Sequence, residues 1–458
     1  MTAQFDALWA QALPAFAQRR TWERGHTLAL SAVACLGRHT ISGLLTCSGQ
    51  QARDWTGAYR LFSQERLDLG QLWAPVRRTL YELLPAGPFY AALDDTLVGK
   101  RGRKVPGARF RRDPQGPRFR ANLIWAQRFL QVTALLPQGS GAGGARAIPL
   151  DLQHCPGPRP GREQESARLT TMARDRLTAL RGSLDAEGAR QRPLVVAVDG
   201  GYTNRTVLRA LPERTILIGR IRKDAKLYAP PALATGRGRP AKYGPALPTP
   251  EQLRQDDRIP WQTVEAHAAG RRHNFQVKVV EAVRWRGAGE RDLKLVIIRP
   301  LGYRPTKRSR VCYREPAYLV GTDPHLPLAQ LLQAFVWRWE VEVTFREEKT
   351  ILGLGEAQVR NQHAVSQAPA FIAAVYAYLH LAAALAGAAI PSLPRPKWQH
   401  PQPTARVTTG CLVSTLRAEL WGKALGVHLS DFATPLLLTA NPPIIQNSAL
   451  SAVLYSQK

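Results

Sequence analysis

From Phe89 to Asp199 the chain is written in short apolar runs bounded by Gly and Pro, and this stretch limits the folds open to it more than any other. Phe89-Tyr90-Ala91-Ala92-Leu93-Asp94-Asp95 reads as a buried strand ending in two acids. A basic loop follows, Lys100 to Arg112, and then two more strands, Asn122 to Leu136 and Ala145 to Leu152. Cys155 to Gly161 is a Pro- and Gly-rich loop, Glu163 to Leu180 has the apolar repeat of an amphipathic helix, and Pro193 to Asp199 is a fourth strand, again ending in an acid. Three strands, a helix and another strand predict an α/β chain with a mixed sheet and one crossover helix.

The flanks differ in character. Residues 1 to about 85 carry helical spacing, as in Phe5-Leu8-Trp9-Leu13 and Leu72-Trp73-Val76. Within them the piece from Thr40 through Arg53, Trp55, Tyr59 and Arg60 has the turns of a helix-turn-helix, although most short helix pairs only pack. Between Thr215 and Asp323 further strands are expected at Ile216–Ile221, Thr263–His267, Phe275–Val283, Leu293–Ile298 and Ala317–Val320, a β-rich insertion too long to be a loop. It contains Gly236-Arg237-Gly238-Arg239-Pro240, whose core is similar to an AT-hook laid into a minor groove, which makes Arg237 and Arg239 DNA-binding candidates; a solvated basic loop would look the same. Pro369 to Ile390 is apolar for about a membrane's worth of residues, but its alanines together with Tyr376, Tyr378 and His380 favour a buried core helix. Pro391 to Gly410 reads as a Pro-rich linker, and Cys411 to Leu425 as a last helix.

Charge narrows the partners. The 458 residues carry 63 Lys and Arg against 34 Asp and Glu, a formal charge of +29, which points to a polyanion such as nucleic acid. Five scattered cysteines in no metal-ligand spacing exclude a disulfide framework and a zinc finger. The start, Met-Thr-Ala-Gln-Phe-Asp, has no secretory pattern, so the expected location is the cytoplasm, in association with the nucleoid. No Gly-x-x-x-x-Gly-Lys-Ser/Thr stretch marks a nucleotide-hydrolysing loop.

Phe335 to Lys349 has no Gly or Pro and is read as part of one long helix. At about 100° per residue, Arg338, Glu342, Phe345 and Lys349 fall within roughly 60° of one another, with Phe335 at the edge of that face. Glu340 and Glu347 project to the opposite side, and Glu348 lies off the stripe. A carboxylate between an arginine and a lysine suits work on phosphates, and an exposed helix laced with ion pairs would look the same. Two strand-end acids upstream change the balance. Three carboxylates brought together by a sheet and a covering helix would repel one another without divalent cations, and hard oxygen ligands suit Mg²⁺ or Mn²⁺. Such a centre performs two-metal phosphoryl transfer. Asp94 and Asp95 point to opposite faces of their strand, and alternation alone does not decide between them.

Phe335-x-x-Arg338-x-x-x-Glu342-x-x-x-x-x-x-Lys349 resembles the Tyr-Arg-Glu-Lys signature of cut-and-paste insertion-sequence transposases of the DDE class, with Phe335 in place of the usual Tyr. Asp95-Thr96 resembles that family's first acid followed by Thr or Ser, which favours Asp95, and Asp199-Gly200-Gly201-Tyr202 resembles its second-acid motif. The resemblance covers about 89–386. It implies an RNase H-like core in two parts, 87–214 and 326–390, interrupted by a β-rich insertion at 215–325. It further implies an N-terminal helical DNA-binding domain at 1–86, and leaves 391–458 as linker and tail. By the same resemblance Asp95, Asp199 and Glu342 would hold two Mg²⁺, for which Mn²⁺ can substitute. Phe335, Arg338 and Lys349 would face the DNA end, and a homodimer would act on paired, inverted-repeat ends through a hairpin intermediate and join them to target DNA. Two rivals stay open: a transposase-derived DNA-binding protein that no longer cuts, and an RNase H-like nuclease without strand transfer.

Overall fold

The computed structural model describes residues 1–113, 116, 122–138, 143–157, 168–232, 240–268, 270–304, 306, 308–387 and 407–425. Arg237 and Arg239 lie outside the described residues, as do most of the Pro-rich linker and residues 426–458.

The expected mixed sheet is present and larger than the core strands alone. Strand β1 (Phe89–Gly99) pairs antiparallel with β3 (Leu123–Pro137), which pairs antiparallel with β4 (Ala145–His154). Helix α6 (Leu169–Ala186) then crosses over to β5 (Leu194–Val198), which runs parallel to β1. A further strand, β6 (Thr215–Arg220), runs parallel to β5. This is the RNase H-like arrangement, and its central strand β5 is apolar throughout because both sheet faces are covered there. β1 does not end at its acids. Pairing with β3 continues to Gly99 opposite Ala126, so Asp94 and Asp95 sit inside a strand.

The strands of the insertion extend the same sheet. β13 (Ala317–Gly321) lies antiparallel to β6, followed by β10 (Asp292–Ile298) and β9 (Arg271–Trp285), with β8 (Gln262–Ala268) and β7 (Leu227–Tyr228) on β9. On the other side, β2 (Arg109–Arg112) pairs with the start of β3. One small ribbon stands apart, β11 (Gly302–Tyr303) with β12 (Cys312–Tyr313).

The N-terminal helices α1 (Thr2–Ala10), α2 (Arg19–Ala34), α3 (Ile41–Cys47), α4 (Thr56–Ser63) and α5 (Leu69–Leu83) share one core with α11 (Ala364–Ala386). Trp9 lies 5.3 Å from the Tyr378 ring and 5.8 Å from Phe371, and Phe62 packs edge-on to Phe371 at 5.3 Å. α11 is long and apolar enough to cross a membrane, yet 89 % of its most apolar window is buried inside the protein, as a core helix requires. The α3–α4 connection spans residues 48–55, longer than the three or four residues of a helix-turn-helix turn. Arg53, Tyr59 and Arg60 there are exposed and line an open groove with Trp55.

Candidate active site

The stretch expected to be one helix is two. α9 (Leu328–Trp337) and α10 (Glu340–Thr350) meet at a tightened turn, where the amides of Trp339, Val341 and Glu342 each donate to the carbonyl three residues back. That local 3₁₀ winding turns the chain about 120° per residue instead of 100° and resets the face that α10 presents. α9 and α10 cross one face of the core sheet: Trp337, Val341 and Phe345 pack on Ala92, and Tyr90 meets Trp337 edge-on at 5.7 Å.

The pleat of β1 then decides which acid reaches them. Tyr90, Ala92, Asp94 and Thr96 share the face under α9 and α10. Arg338 Nη1 donates to Asp94 Oδ2 at 2.9 Å, and Lys349 Nζ donates to Thr96 Oγ1 at 2.6 Å. Asp95 points the other way, contrary to the place the sequence motif suggests for it. The Tyr202 hydroxyl donates to its Oδ1, and Arg128 Nε sits 3.2 Å from its Oδ2.

Asp199 follows β5 directly, half-buried, in a turn closed by the Tyr202 amide on the Asp199 carbonyl. That turn lies tight on β6: a Cβ on Gly219 would come 2.0 Å from Thr203 Oγ1, so only glycine lets the loop seat there. On the far side, Gly355 has φ +92° and its backbone abuts Val98, which pins the chain after α10 against β1.

The charges of the site act on one another. Burial pushes the Asp94 carboxyl up to about 7; Arg338 opposes this, while Asp95 and Asp199 add to it. Glu342 is raised as well, by burial first, with Arg338 opposing and Asp199 adding. Asp199 thus acts on both other acids, and Arg338 stands between them, 3.7 Å from Glu342 Oε1. Burial lowers Lys349. Among the described residues no three His, Cys, Asp or Glu side chains are close enough to cage an ion. The donor set nevertheless suits a hard cation: three carboxylates, two of them held above their ordinary range by burial.

The other signature positions look inward. Arg338 is 7 % exposed, with its charge spent on Asp94, and its Nε has no hydrogen-bond partner. Phe335 is half-buried, packed in the cluster with Val195, Ile218 and Leu331. Glu347, on the side of α10 away from Glu342, accepts from the Tyr376 hydroxyl at 2.7 Å and the Thr409 hydroxyl at 2.6 Å, with Arg146 at 3.7 Å. Glu347→Ala therefore costs about 2 kcal/mol of stability, read as a lower urea midpoint at unchanged slope. Glu348 is fully buried, held by Gln131 Nε2 at 3.2 Å.

Asp94, Thr96, Tyr202 and Arg128 join the residues read from the sequence as candidates. Asp94, Thr96 and Tyr202 already stand in the acid motifs, and the rule that residues two apart share a face puts Asp94, bound by Arg338, on the side of Thr96, bound by Lys349; Arg128 had no cue.

No curated protein matches the chain significantly. Residues 10–291, more than half of the chain, match the family described as DDE superfamily endonuclease, a segment that holds Asp94, Asp95 and Asp199 and stops before Glu342. The chain belongs to the DDE superfamily of endonucleases.

Proposed function

We propose that the protein is a cut-and-paste DNA transposase that binds terminal inverted repeats, frees the element ends by a hairpin route and joins the 3′ ends to target DNA. The observation that carries this reading is the Arg338 guanidinium set between Asp94 at 2.9 Å and Glu342 at 3.7 Å, with Asp199 acting on both acids and Lys349 bound to Thr96 on the same face of β1. Asp94, Asp199 and Glu342 are the residues that would hold two divalent cations, Mg²⁺ or Mn²⁺; Asp94 takes the place that the sequence motif suggests for Asp95. Bound there, the ions supply activation of a water or a 3′ hydroxyl and stabilisation of the departing oxygen.

The chain's own groups do the rest. Arg338 holds Asp94 in orientation and keeps two raised carboxylates from repelling each other. To admit a cation it gives up Asp94, and its guanidinium then turns to a phosphate oxygen, for which its planar fork is suited. Lys349, parked on Thr96, sits beside the same face and holds a second phosphate. Phe335 lacks a hydroxyl and offers only its ring. DNA is the substrate class that the +29 charge favours, and a homodimer on paired ends in the cytoplasm is the working assembly.

The test is incubation with duplex DNA containing the element's end, with Mg²⁺, followed by sequencing of the products. Glu342→Ala is expected to abolish cleavage; a variant that cuts like the parent overturns the assignment. Joined ends flanked by a short target duplication support transposition, and cleavage without joining reduces the protein to a nuclease.

A further inference from the structure

Between β10 and β13 the chain leaves the sheet and forms the β11–β12 ribbon, whose strands are Gly302–Tyr303 and Cys312–Tyr313. From Arg299 to Arg314 the sequence holds six cations, Arg299, Arg304, Lys307, Arg308, Arg310 and Arg314, and no acid. Arg304, Arg308, Arg310 and Arg314 are exposed. Tyr313 is 72 % exposed and Tyr303 45 %, the latter with the Arg314 guanidinium 5.5 Å from its ring.

Two-stranded hairpins are marginal in water without a surface to pack on. This one keeps Gly302, Tyr303, Arg304 and every residue from Arg310 to Glu315 exposed, so among the described residues neither of its faces has a covering layer. Aromatic rings interleaved with unopposed arginines are the composition of a surface for a polyanion with stacked or grooved apolar parts.

Its place in the fold is specific. Leu93 pairs with Val198, Val198 with Gly219 and Gly219 with Val320, so these positions lie at one level across the sheet. Asp94 and Asp199 are one residue beyond that level. Ala317, paired with Ile298, is the strand end at the same edge of the sheet, and the ribbon springs from those two residues. The ribbon and the acids therefore leave the sheet on the same side.

We propose that the β11–β12 ribbon is a DNA-binding arm that enters the major groove of duplex DNA beside the active edge. The major groove is wide enough for a two-stranded ribbon. The arm's arginines take the flanking phosphates, and Tyr303 and Tyr313 make the contacts within the groove. A second copy of this chain is a poorer occupant, because two arms of the same charge would repel. The inference rests on the reading of the protein as one that acts on DNA.

The test compares the full-length parent with Arg304→Gln/Arg308→Gln/Arg310→Gln and with a charge-matched control, Arg168→Gln/Arg174→Gln/Arg190→Gln, around α6. Binding to a random-sequence duplex of about 40 base pairs is followed by fluorescence anisotropy over a range of NaCl concentrations. The ribbon variant is expected to lose two to three units of the slope of log K against log[salt] and at least ~10-fold in affinity at about 0.15 M salt, with an unchanged thermal midpoint. The control should lose less than half of that. Tyr313→Ala should weaken binding about threefold or more with the slope unchanged, as the loss of an uncharged contact within the groove predicts. Equal losses in ribbon variant and control, no loss in the ribbon variant, or a loss of dimer mass without a loss of DNA affinity each overturn the proposal. A parent that binds no DNA overturns the reading of function itself, which keeps the two failures apart.

Discussion

Asp94→Asn should reduce metal-dependent DNA cleavage by ~10³-fold or more, about 4 kcal/mol of transition-state stabilisation, while Asp95→Asn should stay within roughly tenfold of the parent. The two residues are neighbours of the same type, so charge and composition are matched, and what differs is the face of β1 they occupy. Asp94 is held by Arg338, which also lies 3.7 Å from Glu342, and it feels the charge of Asp199. Asp95 is bound to Tyr202 and Arg128 on the reverse face. Asparagine at 95 keeps an oxygen for the Tyr202 hydroxyl and loses only a partly exposed ion pair, of the kind worth up to about 1 kcal/mol. Asparagine at 94 still accepts from Arg338, which preserves the fold, but can no longer serve as an anionic ligand. Single-turnover cleavage at saturating DNA over a Mg²⁺ titration reads the difference. Equal losses in the two variants would return the first acid to Asp95.

The second large effect is on stability. Glu348 is wholly enclosed, its Oε2 has no partner, and burial pushes its carboxyl up to about 8 from an ordinary 4.5, with Gln131 and Lys349 opposing and Glu347 adding. Below about pH 4.5 the folded and unfolded chains both carry the proton on this group, so it costs nothing. Between about 4.5 and 8 the unfolded carboxylate ionises and the folded one does not, so stability falls as pH rises and levels off above about 8. Glu348→Gln removes this penalty, and its amide can face Gln131, whose Oε1 is also unpartnered. The variant should match the parent near pH 4.5 and exceed it by roughly 2 to 5 kcal/mol at pH 8. Urea melts at both pH values check this, and a gap that does not open with pH would show that Glu348 is ionised and paired in the fold.

How much of this the sequence discloses depends on what each element buries. The core strands announce themselves, because β5 and the Phe89–Leu93 part of β1 are enclosed by the fold and apolar along their length. The order of strands and the crossover helix follow from those runs alone. Asp199 reads as a strand-end acid, and it directly follows β5 in a turn, a place that a purely structural turn residue would take as well. The choice between Asp94 and Asp95 was not legible, since it turns on pleat parity and on which face α10 covers, both tertiary facts. The break at Arg338–Trp339 has no Gly or Pro to mark it. Glu347 and Glu348 look like solvent-facing charges and are partly or fully enclosed, because α11, α12 (Thr409–Leu425) and β3 pack over that side of α10. The β11–β12 ribbon escaped notice since its strands are two residues long and carry no apolar run.

The unbroken strand order β1-β5-β6-β13-β10 has a metric consequence. Neighbouring strands are about 4.8 Å apart, so the four steps from Asp94 on β1 to the strand that launches the ribbon measure about 19 Å. A duplex lying along that edge rises 3.4 Å per base pair, and 19 Å is between five and six base pairs, about half a helical turn. With a duplex seated as proposed, the sheet would set phase as well as distance: a ribbon in one groove would leave the opposite side of the helix, half a turn away, turned toward the acids.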